Sequence, residues 1–210
     1  MSTDIATNPY KADFPLLASH PELAFLDSAA TAQRPATVLD AQRSFYETMN
    51  ANPLRGLYQL SVDATQAIED ARAKVARFVG ATDPAEVVFT RNASESLNLI
   101  AKTLGPTVLH EGDEVCISIM EHHSNLIPWQ QVCRETGANL VYLRMDENYR
   151  ITPEEVAAKV GPRAKIVSVT QVSNVLGVEN DVPMIAKRAH EIGAYVVVDG
   201  AQSVPHVRVD

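Results

Sequence analysis

Two patterns of apolar residues alternate along this chain. Short runs rich in apolar and β-branched residues recur at 86–90, 115–119, 140–143, 165–170 and 195–199. Such runs predict buried strands. Between them, spacing near 3.6 residues predicts amphipathic helices. Val38, Gln42, Phe45 and Met49 follow one face, and Ala64, Ala67, Ile68, Ala71, Val75 and Phe78 follow another that Gly80 can terminate. Leu97, Ile100, Ala101 and Leu104 form a third face, and Trp129, Val132 and Cys133 a fourth. Thr152-Pro153-Glu154-Glu155 has the form of a capping box with proline at the first helical position, while Asp181 and Gly193 frame a last helix. Residues 1–25, interrupted by Pro9, Pro15 and Pro21, are expected to be irregular. Strand and helix in alternation predict the α/β class, a mainly parallel sheet with right-handed crossovers. The run Tyr195-Val196-Val197-Val198-Asp199 is expected to be buried on both faces.

Composition narrows this picture. At 210 residues and 46% hydrophobic content the chain is long enough for one sizeable α/β domain, or one domain plus part of another. A net charge of −8 with scattered Lys and Arg argues against a nucleic-acid or anionic-membrane surface. No apolar run approaches the roughly 18 residues that span a bilayer. Met1-Ser2-Thr3-Asp4 has neither the basic nor the apolar region of a secretion signal, so a cytoplasmic protein binding a small molecule is expected. Cys116 and Cys133 lack metal-type spacing and are expected to be buried thiols.

Candidate chemistry gathers at strand ends. Ser94, His123, Asn174, Asp199 and Gln202 each follow a predicted strand, and in a parallel sheet those ends share one side, where ligands bind. Asp199 either points into a site or caps the next turn, with Gly200 letting the backbone turn away. The turn at Arg91-Asn92-Ala93-Ser94 either offers helix N–H groups to a phosphate or is a plain N-cap by Ser94. His122 and His123 lack a third ligand at suitable spacing, so zinc is disfavoured and no metal site is expected; a ring lying over a cofactor suits His123 better. The small residues of Leu26-Asp27-Ser28-Ala29-Ala30-Thr31 suit either a loop that a ligand approaches closely or an ordinary connection. Neither G-x-G-x-x-G nor G-x-x-x-x-G-K-[ST] is present after a strand, which disfavours dinucleotide and nucleoside triphosphate sites.

Those same segments carry a resemblance. Leu26 to Thr31, Phe89-Thr90-Arg91 with Ser94-Glu95, Glu121-His122-His123-Ser124-Asn125 through Pro128-Trp129, Ser173 to Gly177 and Val198 to Gln202 resemble, in order and spacing, the cysteine desulfurases of the class V aminotransferase family. The likeness is nearest to the SUF type, also called cysteine desulfurase/selenocysteine lyase. It implies a PLP-dependent transferase of fold type I, with 26–210 as the N-terminal part of the PLP-binding large domain and 1–25 packing with a small domain. It implies pyridoxal 5′-phosphate (PLP) as cofactor, with Asp199 pairing with the pyridine nitrogen and His123 stacking on the ring and relaying protons. Gln202 would bond the ring's phenolic oxygen, Ala93 and Ser94 would hold the phosphate, and Asn174 would touch cofactor and substrate carboxylate, with Ala29 and Ala30 also on the substrate side. The implied reaction converts L-cysteine to L-alanine and leaves sulfur on the enzyme as a persulfide, for a sulfur-acceptor protein of iron–sulfur cluster assembly. A homodimer is implied as well.

The chain departs from that pattern in three places. Asn92-Ala93 stands where the family usually has Gly-Thr, removing a hydroxyl donor from the phosphate turn, and Leu54 and Tyr58 stand where histidines are frequent. None of Lys11, Lys74, Lys102, Lys159, Lys165 and Lys187 occupies the family's Schiff-base position, and neither cysteine matches its nucleophile. The sequence is therefore expected to be the N-terminal half of a longer enzyme, inactive by itself. Another class V aminotransferase or a kynureninase-like lyase is the alternative within enzymes; a non-catalytic binding or dimerisation module of the same fold is the alternative outside them.

Overall fold

A computed structural model describes residues 8–208. The chain forms two compact units, which divide between Val87 and Val88. The first is helical. Residues 9–25 are not wholly irregular as expected: a 3-10 turn at Pro9–Asp13 and helix α1 at Pro15–Ser19 each begin on a proline. Proline lacks the N–H that a first helical position leaves unpaired, so it starts these turns rather than breaking them. Helices α2 (Ala36–Thr48) and α3 (Gln59–Phe78) follow.

The second unit holds a four-stranded parallel sheet: β1 (Glu114–Ser118), β2 (Asn139–Leu143), β3 (Ala164–Thr170) and β4 (Tyr195–Asp199), in the order β2-β1-β3-β4. Helix α5 (His123–Thr136) connects β1 to β2, α6 (Pro153–Lys159) connects β2 to β3, and α7 (Val182–Glu191) connects β3 to β4; α4 (Ala93–Val108) precedes β1. Alternation along the strands divides the core in two. Val115, Ile117, Ile166 and Val197 pack with Leu97, Ala101, Trp129 and Val132 of α4 and α5. Cys116, Val167 and Val169 pack with Val156, Ile185 and Ala189 of α6 and α7 on the other face. Gly105 of α4 lies so close to α5 that an added Cβ would stand 2.5 Å from Val132 Cγ1.

Three expectations need correction. Residues 86–90 form no strand: Pro84–Glu86 is a 3-10 turn and the extended residues after it pair with no ladder, leaving Val88 and Phe89 exposed. β-propensity marks residues able to pair, while a strand also needs a neighbour. Strand β4 is an edge of the described sheet and is not buried on both faces, since Tyr195 is 54% exposed. The box at Thr152 is half realised: its hydroxyl takes the Glu155 N–H, but the Glu155 carboxylate turns to the Arg144 N–H instead.

The sheet order locates a crevice. Helix α5 leaves β1 toward one face and α7 leaves β3 toward the other. The connections therefore diverge between β1 and β3, and the space outside those two carboxyl ends is the topological switch point where α/β sheets bind ligands.

Candidate active site at the carboxyl edge of the sheet

Asp199 ends β4 opposite Thr170, the last residue of β3, and is only 6% exposed. Its Oδ1 accepts the Ala201 N–H at 3.0 Å, so one oxygen does cap the following turn. Its carbonyl accepts the Gln171 N–H at 3.0 Å and the Thr170 hydroxyl at 3.5 Å, which ties the tip of β4 to that of β3. Gly200 serves close approach: a Cβ there would lie 2.9 Å from Val204 Cγ2. Gln202 sits half-buried in the turn that follows.

Beyond β3, Asn174 stands exposed on a tight turn. Ser173 Oγ accepts the N–H groups of Val175 and Leu176, the Ser173 carbonyl accepts that of Gly177, and Gly177 adopts φ 64°, a left-handed conformation suited to glycine. Beyond β1, His123 is the first residue of α5 and exposed, while His122 caps the helix, its Nδ1 accepting the Ser124 N–H at 3.1 Å. The two imidazoles lie 6.2 Å apart. Among the described residues no three His, Cys, Asp or Glu side chains converge to hold a metal ion.

The start of α4 is separate. Asn92, not Ser94, is its N-cap: the Asn92 side chain accepts the Glu95 N–H at 2.9 Å, leaving Ala93 and Ser94 as the exposed first two helical residues. Their N–H groups belong to the first turn, which has no intrahelical acceptors. Ser94 lines a shallow depression of about 480 Å³ together with Arg91, Asn92, Glu95 and Lys102, among others. Neither His123 nor Asp199 lines it. Hydrogen bonds from the Arg91 backbone and side chain hold the Glu95 carboxyl below its usual range, so a fixed negative charge stands beside the place expected for a phosphate. Ala29 and Ala30 belong to the first unit, in an exposed turn closed by the Ala30 and Thr31 N–H groups on the Asp27 carbonyl.

One functional group has no role in the sequence reading. Glu121 lies at the switch point, where its Oε1 accepts the Ser118 hydroxyl and, at 2.7 Å, the Thr170 N–H. Its Oε2 accepts the Asn125 amide at 2.7 Å. Asn125 Oδ1 in turn accepts Trp129 Nε1–H at 3.1 Å and the Ser168 hydroxyl at 2.8 Å. Burial raises the Glu121 carboxyl above its ordinary range, the three hydrogen bonds oppose this, and the nearby Asp199 charge adds to the rise. A signal was available: Ser118, Ser168 and Thr170 interrupt runs otherwise fit for a dry interior, and buried hydroxyls require partners.

A parallel sheet flanked by helices, with polar residues outside the carboxyl ends at a switch point, defines an α/β protein of the kind that binds ligands at that edge. Residues 24–210 match the family Aminotransferase class-V. The chain belongs to the class V aminotransferase family. It is 46% identical over 202 residues to a probable cysteine desulfurase of Synechocystis sp., covering 94% of this chain and 48% of that protein. Its fold matches a cysteine desulfurase from Thermococcus onnurineus NA1, solved in the apo form, with a TM-score of 0.89 at 38% identity over 95% of this chain and 48% of the other. A C-DES mutant with glycine covalently linked to its PLP cofactor shares the fold, at TM-score 0.79 and 20% identity, over 96% of this chain and 52% of its own. The chain spans about half the length of the curated relatives it matches.

Proposed function

We propose that these residues form the N-terminal part of a PLP-dependent cysteine desulfurase of the SUF type, which takes sulfur from L-cysteine, releases L-alanine and supplies iron–sulfur cluster assembly in the cytoplasm through an acceptor protein. In this reading 26–210 contribute to the PLP-binding large domain and 1–25 pack with a small domain. A homodimer is proposed for the complete protein.

The observation that carries the reading is the nearly buried Asp199 at the tip of β4, whose backbone carbonyl ties it to the neighbouring strand tip at the carboxyl edge of the sheet, where the family's cofactor would lie. The residues present fit PLP in three respects. Asp199 would hold the protonated pyridine nitrogen, an ion pair that low exposure strengthens. His123 is exposed at the start of α5, where its ring could lie over a flat cofactor. Ala93 and Ser94 offer first-turn N–H groups to a phosphate, helped by the helix dipole. Asn174 and Gln202 would orient the ring oxygen and the substrate carboxylate. When bound, PLP supplies an electron sink for the bond-breaking at the substrate's α-carbon.

The test is reconstitution of the complete gene product with PLP, followed by assay of alanine released from L-cysteine against other amino acids. Alanine release with a preference for cysteine is expected, and Asp199→Ala should lower kcat/KM by on the order of a hundredfold. The 210-residue chain by itself should release none above a free-PLP control. A preference for another amino acid would move the protein to a different class V activity. Failure to take up PLP would overturn the reading.

A further inference from the structure

We propose that Glu121 is the positioning residue of this site: one carboxylate, received at once by β1, α5 and β3, fixes where His123 and Asp199 stand. The inference rests on the cysteine desulfurase reading for what those two residues do, and on hydrogen-bond geometry for how Glu121 holds them.

Every donor around Glu121 is forced. Indole N–H can only donate, so the Trp129 contact requires Asn125 to turn its oxygen toward Trp129 and its NH2 toward Glu121. Ser118 Oγ accepts the Met120 N–H at 3.1 Å, which leaves its own proton for Glu121. The Thr170 backbone N–H can only donate. Three donors therefore meet two oxygens, and an ionised carboxylate is the one group of this shape that satisfies them all. Asp199 is the charged group that acts on Glu121 from β4, while Ser118, Asn125 and Thr170 meet it from β1, α5 and β3. Asn125 lies two residues into the helix that begins at His123, and Thr170 is the residue paired with Asp199. Loosening Glu121 would thus release both.

The logic admits a swap. Glu121→Gln would set an NH2 against a donor and leave the network one acceptor short. Adding Asn125→Asp restores the pairing, because the new carboxylate accepts from the substituted amide, Trp129 and Ser168 while that amide's oxygen keeps Ser118 and Thr170. The experiment compares wild type, Glu121→Gln and Glu121→Gln/Asn125→Asp in the complete PLP-loaded protein. The readouts are visible circular dichroism of the bound cofactor, steady-state kinetics with L-cysteine, and amide exchange at 122–126 and Thr170. Glu121→Gln should change the cofactor's visible band, lower kcat by about tenfold to a hundredfold with little change in KM, and speed exchange at those amides. The double variant should recover all three. Wild-type spectrum and kcat in Glu121→Gln would overturn the proposal, and so would a folded double variant without recovery. If Glu121→Gln alone does not fold, the double variant decides by the same readouts. A wild type that binds no PLP would strike the desulfurase reading alone, and exchange at 122–126 and Thr170 in the three proteins would still decide for or against Glu121.

Discussion

The second unit contains two helix starts that the same site would use, and they are built in opposite ways. The start of α4 is exposed and held by its own neighbours: Asn92 caps Glu95, and Glu95 accepts from Arg91. The start of α5 is held from beneath by a buried network that reaches β1 and β3 through Glu121, Asn125 and Ser168. The difference follows from what each would do. A phosphate brings its own charge and can organise loose N–H groups as it binds, whereas a ring and a pyridinium must find their partners already in place. On the proposed reading, one start would be completed by its ligand and the other is complete beforehand.

The largest break in this comparison comes at Trp129, the largest fully buried side chain. Trp129→Ala removes a ring packed between α5 and the sheet and leaves Asn125 without the donor that orients it. We expect a loss on the order of 3–5 kcal/mol in urea unfolding. Trp129→Phe keeps most of the packing and removes only the indole N–H, for about 1–3 kcal/mol. Equal losses from the two variants would mean that the α5 start depends on the hydrogen bond and not on the ring.

How much of this was legible differs between the two starts. The four strands were plain as apolar runs, and the parallel order followed from the helices between them. Asp199, His123 and Asn174 lie at or shortly beyond the carboxyl ends of β4, β1 and β3, as expected from their places after apolar runs. The cap of α4 was not legible: Asn92 and Ser94 are both capping residues, and only backbone geometry chooses between them. Residues 86–90 misled for a similar reason, since pairing depends on a neighbouring chain segment that propensity does not register. Glu121 was visible as part of a family motif, and the hydroxyls of Ser118, Ser168 and Thr170 signalled only that some buried polar partner was needed. Its partners come from segments far apart in sequence, Ser118, Asn125 and Thr170, and no local pattern joins a strand end at 118 to one at 170.

The cap itself gives a smaller effect. Asn92→Ala deletes the acceptor for the Glu95 N–H and should cost about 1 kcal/mol. Amide exchange should quicken in the first turn of α4 and remain unchanged at 122–126, where nothing depends on Asn92. A matching change at 122–126 would show that the two starts share one cooperative unit and would remove the contrast between them.

The smallest effect is one of sign, in the pH dependence of stability. The Glu95 carboxyl lies below its usual range of about 4.5 because Arg91 donates to it. Its contribution is fully present above about pH 4.5 and is lost as pH falls through the lowered value in the folded chain. Glu121 is shifted the other way, chiefly by burial. The folded state then holds a proton that the unfolded state has released, so stability falls as pH rises from about 4.5 through the raised value. Melting temperatures of wild type, Glu95→Gln and Glu121→Gln between about pH 3 and 8 separate the two. The gap between wild type and Glu95→Gln should close as the solution is acidified below about pH 4.5. Relative to Glu121→Gln, the wild type should gain stability as pH is lowered from neutral toward about 4.5. Carboxyl carbon-13 titration would assign each shift directly, and two titrations moving in the same direction would mean that the three hydrogen bonds on Glu121 outweigh its burial.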